Sequence, residues 1–355
     1  MYFPYLLNIT KYLIFCKIIV EYKKGVYDLN RLVFLPSRNY IKYVYFNHKD
    51  YTIHDLGIKK YSGDIKEGAG FIKEIYDEDT FDVSLIIPSN RAQVKSIETN
   101  KVEKKYLRNV IYNEFGDKLQ LDENSQKWDY TISYEGENNY KILVSITNRE
   151  YLENWISQLI LNDIEPSVVS CEQLSLLNGF YFYNGYKPII IVDIGTVDTN
   201  IMIYDREKEY FQMDIQIGYN DLLNNIQDIY DIPPDKANKI LMEENLNNNM
   251  DENQFKNKPK FFRSISNLLD NIIYEIKRSI IFYENRYKEI NFDEIMLSGG
   301  VANLSNIAFY IGYEVGAKVN KYNFYKNIKL DLPYKKKEIL NNNILTFSNL
   351  FGGLL

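Results

Sequence analysis

The sequence predicts a layered α/β fold in which helices pack against sheets, and two observations in its second half indicate this class. Three apolar strands follow one another, beginning with PIIIV at 188–192 and continuing through NIMIYD and YFQMDIQIG. Helices and strands then alternate, with helices over 220–230 and about 264–289 and a strand at 294–297. Successive strands followed by this alternation are typical of helices that cover a sheet.

The first half of the chain predicts further strands and a small inserted α+β unit. Residues 31–36 are rich in β-forming side chains and predict a strand. Over about 85–162 the predicted order is strand, helix, strand, strand, helix, and its first strand is DVSLIIP at 82–88. Thr147 or Asn148 can cap the last helix, whose apolar residues recur at helical spacing.

Composition narrows the class of protein. The chain has 355 residues and a mass of 42.1 kDa, which suggests about two or three domains. A net charge of −6 and a pI near 5.3 do not provide the basic face that nucleic acid requires. Cys16, Cys171, His48 and His54 are the only cysteines and histidines, so a disulfide framework or a His/Cys zinc site is not expected.

The first twenty residues are apolar, but Asn8, Thr10, Lys11 and Lys17 interrupt them. A membrane-spanning helix needs about 20 mostly apolar residues, and a signal peptide begins with a positively charged segment. We therefore expect buried strands here, including one over 12–22, and no membrane segment. If the protein works at a membrane, we expect a partner to hold it there.

The first candidate site is DIGTVDTN at 193–200, between two apolar strands. A tight turn with Gly195 can present backbone N–H groups to a phosphate, and Thr196 and Thr199 can add hydroxyl donors. Asp193 can orient a water bound to Mg²⁺. The alternative interpretation is an ordinary hairpin, because Asp, Gly, Thr and Asn are common turn residues.

Two further candidate sites lie later in the chain. Gly299 and Gly300 stand between a strand and a helix, where a base or ribose can approach the backbone closely, and the alternative is a simple connection that needs positive φ. Glu275 and Arg278 share a face of the long helix, where Arg can stack on a purine and Glu can accept from ribose hydroxyls. The alternative for this pair is a surface ion pair.

The order of these three sites resembles the second half of an actin-like ATPase. More specifically, the chain resembles the PilM family, the actin-like proteins of type IV pilus assembly. The stretches that carry the resemblance are IIIVDIGTVDTNIMIYD, FQMDIQIG, YEIKRSIIFYENRY and EIMLSGGVANLSNI, with SLIIPSNRAQVKSI and LVSITNREYLENWISQLILNDIEPSVVSCEQLSLLN in the first half. The resemblance covers about 80–355, and EIKRSIIFY followed by IMLSGG is its most specific part.

The resemblance implies an actin-like ATPase fold of two related halves, with a small α+β subdomain inserted in the first half. We expect the first subdomain over 1–84 and 163–187 and the inserted one over 85–162. The second half then covers 188–355, with a small lid at about 232–263. The implied nucleotide-binding residues are Asp193, Gly195, Thr196, Thr199, Glu275, Arg278, Gly299, Gly300 and Lys17, with Asp193 also contacting Mg²⁺ through water.

The amino-terminal segment departs from the family pattern. Members usually open with a strand, Asp-x-Gly-Ser and a second strand that carries Lys. Lys17 matches that Lys, but Asn8 stands where Asp is expected and Thr10 stands near the expected Gly. A neutral Asn supplies no charge to a metal–water shell. We therefore expect ATP and Mg²⁺ to bind with weak or absent hydrolysis, so that the chain is not an efficient ATPase.

The resemblance also implies a role. PilM-like proteins are cytoplasmic scaffolds that lie peripherally at the inner membrane and bind the cytoplasmic tail of a single-span partner, PilN, in a groove beside the inserted subdomain. Other pilus platform and motor components are further implied partners, without nucleic acid and without direct membrane insertion. The alternatives are a type II secretion L-like nucleotide-free adaptor, an actin-like small-molecule kinase, and a filament-forming division protein like FtsA.

Overall fold

The computed structural model describes residues 30–47, 52–76, 81–243, 260–288, 292–322 and 328–353. They belong to two compact units: unit 1 is Met1–Gly185, Phe324–Glu338 and Asn349–Leu355, and unit 2 is Tyr186–Asn323 and Ile339–Ser348. The strand predicted over 12–22 lies outside the described residues.

The elements alternate between strands and helices along much of the chain. The strands are β1 (Asn30–Pro36), β2 (Tyr40–Asn47), β3 (Thr52–Lys60), β4 (Phe81–Ile87), β5 (Ala92–Asn100), β6 (Gln126–Glu135), β7 (Asn139–Asn148), β8 (Val168–Cys171), β9 (Ile189–Ile194), β10 (Thr199–Tyr204), β11 (Phe211–Ile215), β12 (Ile295–Ser298), β13 (Val319–Lys321) and β14 (Lys329–Leu330). The α-helices are α1 (Ile65–Ile75), α2 (Leu107–Leu119), α3 (Arg149–Leu161), α4 (Glu172–Asn184), α5 (Tyr219–Tyr230), α6 (Pro234–Glu243), α7 (Lys260–Arg286), α8 (Ile307–Val315), α9 (Tyr334–Asn343) and α10 (Ser348–Phe351).

Unit 1 contains a six-stranded sheet with the strand order β14-β3-β2-β1-β4-β8. The neighbours β1, β2 and β3 pair antiparallel, whereas β1 with β4 and β4 with β8 pair parallel. Apolar side chains on β1 and β4 are fully buried, because neither face of a sheet is exposed to solvent when both faces are covered. The helix α1 begins at Ile65, because the Asp64 side chain accepts the Lys66 N–H and caps the helix.

The inserted α+β unit is a three-stranded sheet with the order β5-β7-β6, covered by α2. The prediction that its first strand is 82–88 was wrong, because β4 pairs with β1 and β8 in the six-stranded sheet. Its first strand is β5, a segment (AQVKSIETN) whose polar residues alternate with buried ones and hide its strand character. Asn148 caps α3 by accepting the Tyr151 N–H at 2.9 Å, as predicted.

Unit 2 contains a five-stranded sheet with the order β11-β10-β9-β12-β13. Its first three strands form the predicted antiparallel succession, and β12 joins β9 in parallel. The helix predicted over about 264–289 is α7, and its apolar face is buried at Ile265, Leu269, Ile272 and Ile276. This register fixes which face of α7 packs on the sheet and which face carries Glu275 and Arg278.

The carboxyl-terminal residues contribute to both units. We expect from the sequence that everything after 188 belongs to the second half, whereas 324–338 and 349–355 group with unit 1. The reason is direct pairing and packing: β14 pairs in parallel with β3, and a Cβ added at Gly352 would lie 1.7 Å from the Ser175 carbonyl oxygen. Only glycine lets the chain approach α4 so closely.

We find no helix among the described residues whose length and apolar character would allow it to cross a membrane.

Candidate functional site

The structure brings the two glycine-bearing corners of unit 2 side by side. The corner after β9 begins at Asp193, and the corner after β12 begins at Ser298, which is the register partner of Asp193 on the neighbouring strand. Gly299 has a φ of +87°, and a Cβ added there would lie 2.2 Å from the Ile194 carbonyl oxygen. The second corner is therefore pressed against the end of β9 in a conformation that favours glycine.

A buried polar row crosses three adjacent strands at these corners. Asn200, Asp193 and Ser298 are register partners on β10, β9 and β12, and their exposed fractions are 3%, 3% and 0%. Register partners project to the same face of a sheet. The Ser298 hydroxyl has no hydrogen-bond partner within the described part of the chain. A buried hydroxyl without a partner is costly, so the position of Ser298 beside the Asp193 carboxyl group is a candidate for ligand contact.

Sequence reasoning did not single out Asn200 and Ser298 as site residues. Both stand inside the quoted motifs, but their place beside Asp193 follows from strand register. Register between β9 and β12 cannot be obtained from the sequence, because all of residues 195–294 lie between the two strands.

The turn after β9 is held by the start of α5. The Gly195 N–H donates to the Asp198 carbonyl at 2.9 Å, while the Gly195 and Thr196 carbonyls accept the N–H groups of Tyr219 and Asn220, each at 2.9 Å. A Cβ on Gly218 would lie 2.7 Å from the turn backbone. These contacts fix the turn and leave its carbonyls pointing to α5.

The two threonines of the turn have different environments. Thr196 is exposed at the tip, where its hydroxyl is accessible to a phosphate. Thr199 is buried, and its Oγ1 donates to the Ile217 carbonyl at 2.7 Å. Thr199 would have to give up this hydrogen bond before it could donate to a ligand.

The corner after β12 is braced from the carboxyl-terminal segment of unit 2. Asn303 Nδ2 donates to the Gly300 carbonyl and to Thr346 Oγ1, both at 3.1 Å, and Asn303 Oδ1 accepts the Leu345 N–H at 3.2 Å. The nearest atom to a Cβ added at Gly300 is 4.0 Å away, so the space beside Gly300 is open to a flat ligand. The Asn303 side chain therefore links the corner to residues 345 and 346 by hydrogen bonds.

Lys321 lies against the same corner. Its ammonium donates to the Leu304 carbonyl at 3.0 Å and to the Asn303 carbonyl at 3.4 Å. Burial lowers the pKa of Lys321 from its ordinary value, because a desolvated ammonium is disfavoured. Its positive charge adds to the favourable environment for an anion at this end of the sheet.

The third predicted site lies on α7. Arg278 Nη1 contacts Glu275 Oε1 at 3.2 Å, with side-chain exposures of 54% and 21%. This is the ion pair of the alternative interpretation, although the other oxygen, Glu275 Oε2, has no hydrogen-bond partner among the described residues. This oxygen is buried, so a ribose hydroxyl would need the Glu275 side chain to turn before it could bind there. Lys17 lies outside the described residues.

The donor set can be compared with the needs of Mg²⁺. This ion is usually bound by one or two carboxylates, with phosphate oxygens and waters completing its shell. No cluster of three or more His, Cys, Asp or Glu side chains suited to a metal occurs in the described ranges. Asp193, with Ser298 and Asn200 beside it, can act through water on an ion that a nucleotide carries. These side chains are too few to hold a metal ion without the nucleotide.

Comparisons with known proteins agree with this architecture. The family model described as type IV pilus assembly protein PilM matches residues 121–349. Among solved structures, a PilM–PilN type IV pilus biogenesis complex matches with a TM-score of 0.71 at 14% identity, covering 92% of this chain and 98% of that chain. The ethanolamine utilization protein EutJ from Carboxydothermus hydrogenoformans matches with a TM-score of 0.51 at 12% identity, covering 91% of this chain and 88% of that chain.

At these identities the solved structures establish the fold, and the predicted actin-like ATPase fold is confirmed. A search of curated proteins finds no match.

Proposed function

Because the chain belongs to the family of the type IV pilus assembly protein PilM, we propose that it is a cytoplasmic scaffold of the inner-membrane platform that assembles type IV pili or a related machine. The observation that carries this proposal is the family match together with the fold match to the PilM–PilN complex. In this role the chain is peripheral at the inner membrane and is held there by partners, which include other platform and motor components.

The principal partner in this proposal is a PilN-like single-span protein, bound through its cytoplasmic tail beside the inserted sheet. Support comes from the junction of α1 and α3 in unit 1. A Cβ on Gly68 of α1 would lie 2.6 Å from the Trp155 ring of α3, so the two helices approach closely. Next to them, the exposed Arg91 guanidinium stacks over the half-buried Tyr151 ring at 5.3 Å.

An arginine stacked on a tyrosine suits an extended peptide. The ring supplies apolar contact area, and the guanidinium supplies several N–H donors for peptide carbonyls. Recognition of an extended segment commonly combines such backbone hydrogen bonds with side-chain pockets. We therefore place the tail along Arg91 and Tyr151.

We expect the immobilised cytoplasmic tail of the PilN-like protein from the same organism to retain the purified chain. Arg91→Ala removes the stacked donor and should weaken retention about tenfold, since anchor residues of this kind contribute more than about 1 kcal/mol. Titration calorimetry with the tail peptide measures the change.

A matched control is Arg108→Ala. Arg108 also stacks on an aromatic ring in unit 1, at 4.0 Å from the centroid of Trp128, which belongs to the core of the inserted sheet and not to the α1–α3 junction. It should leave tail affinity unchanged. Equal affinity of the wild type for the tail and for a scrambled tail would refute the partner assignment.

The second part of the proposal is nucleotide binding in unit 2. In this proposal the corners after β9 and β12 bind ATP and Mg²⁺. Thr196 and Gly300 contact the nucleotide, and Asp193 contacts the ion through water. Hydrolysis is weak or absent. The supporting observation is the shared polar row of Asn200, Asp193 and Ser298. Bound nucleotide can bias tail binding only to the extent that it prefers one state of the chain.

A further inference from the structure

A cluster of lysines lies at one edge of the six-stranded sheet in unit 1. We call it the lysine face and define it as Lys59, Lys335, Lys336 and Lys337. Lys59 is near the end of β3, and the other three are in the first turn of α9. The parallel pairing of β14 with β3 brings these distant segments together.

Continuous contacts join the two parts of the lysine face. The Lys336 ammonium donates to Asp55 and lies 5.9 Å from the centroid of the Tyr43 ring. Tyr43 packs edge-on against Phe71 with ring centroids 5.7 Å apart, and the Lys59 ammonium lies 5.0 Å from the Phe71 centroid. Tyr43 is buried and Phe71 is half-buried, so these contacts join the exposed lysines through aromatic rings that lie beneath the surface.

Three of the four lysines have no ion pair in the described part of the chain: Lys59, Lys335 and Lys337 are exposed and form none there. Lys336 pairs with Asp55. The other acidic groups on the surrounding elements are Asp64, Glu67, Glu74, Asp331 and Glu338, and Asp331 contacts His54. The chain as a whole carries −6, so this positive patch is opposite in sign to the rest of the molecule.

The helix itself does not explain the lysines. The amino-terminal end of a helix carries partial positive charge, so cations in the first turn are unfavourable there. Tyr334 precedes them and is 82% exposed. Asp55 accounts for Lys336. Lys335 and Lys337 remain without an ion pair in the described ranges, and with the exposed Tyr334 beside them they suit an external anionic partner.

We propose that the lysine face contacts an anionic lipid bilayer directly. The four cations are all lysines, whose compact ammonium groups suit a diffuse anionic surface, whereas arginine would suit bidentate recognition of particular carboxylates. Tyrosine is favoured at the headgroup level of a bilayer. This goes beyond the proposed function, in which partners alone hold the chain at the membrane, and it requires no insertion.

The experiment is flotation of the purified full chain with vesicles, without any partner protein. We expect the wild type to float with vesicles containing about 30% phosphatidylglycerol at about 50 mM salt, and to be released at about 300 mM salt by screening. It should not float with pure phosphatidylcholine. Replacing Lys335→Glu and Lys337→Glu together should weaken the partition at least about tenfold, since each lysine near an anionic surface adds substantially to binding.

The matched control is the double change Lys104→Glu with Lys105→Glu. These exposed lysines are also in unit 1 and give the same change in net charge, but they already contact Glu135 and Glu103. This variant should float like the wild type. Failure of the wild type to float at low salt, or equal loss in both double variants, would overturn the proposal; lysine-dependent capture of an acidic protein without flotation would do so as well.

Discussion

Gly299→Ala should destabilise unit 2 by about 2–4 kcal/mol. Two costs combine: a non-glycine residue at positive φ is strained by about 1 kcal/mol or more, and overpacking adds about 1–3 kcal/mol. The contact that a Cβ would meet is backbone, the Ile194 carbonyl at 2.2 Å. That carbonyl cannot move easily, because β9 is hydrogen-bonded on both sides, to β10 and to β12.

Urea unfolding measures this loss, and hydrogen–deuterium exchange localises it to β9 and β12. The matched control is the neighbouring Gly300→Ala. Gly300 has φ −62° and ψ −41°, and the nearest atom to its added Cβ is 4.0 Å away. We expect its stability to stay within about 0.5 kcal/mol of the wild type. Equal destabilisation by both changes would show that Gly299 does not pack against β9 as described.

Asp193→Asn should abolish stabilisation by ATP and Mg²⁺. A ligand present at about 100 times its Kd stabilises a folded protein by about 2.7 kcal/mol, which raises the melting temperature by several degrees. Asparagine preserves the shape of the buried row with Asn200 and Ser298 but removes the carboxylate of that row, the group that acts on the ion in the proposed function. Thermal melting with and without ATP, Mg²⁺ and a chelator provides the measurement.

Asp235→Asn is the control for this prediction. Asp235 is an exposed residue of α6 in the same unit, and its loss makes the same change in charge. Its melting temperature should respond to ATP like that of the wild type. A full ATP response in Asp193→Asn would remove this residue from the site, and no response in the wild type at millimolar ATP would leave only the scaffold role.

Much of unit 2 was predictable because its patterns are local. The stripe of α7 repeats at helical spacing, and the succession of β9, β10 and β11 is separated by short turns. The two glycine corners were recognised for the same reason. Their contact was not predictable in detail, because Asp193 and Ser298 become neighbours only through the parallel pairing of β9 with β12.

Unit 1 was harder to predict. The strands β2 (YIKYVYFN) and β3 (TIHDLGIKK) were not identified, since lysines and polar residues interrupt their apolar positions. One of these lysines is Lys59 of β3. Its place in the lysine face follows only from the pairing of β14 with β3, which brings α9 close to that strand. The net charge of −6 argues against a basic surface, but net charge conceals a local cluster that residues far apart in the chain form together.

The central claim is that the two glycine corners of unit 2 form one nucleotide site, and photo-cross-linking with 8-azido-ATP tests it most directly. We expect the label to map by mass spectrometry to peptides of unit 2 that contain Gly300 or the Glu275–Arg278 pair, and to be displaced by excess ATP. Labelling confined to unit 1, or labelling that excess ATP does not displace, would contradict the claim.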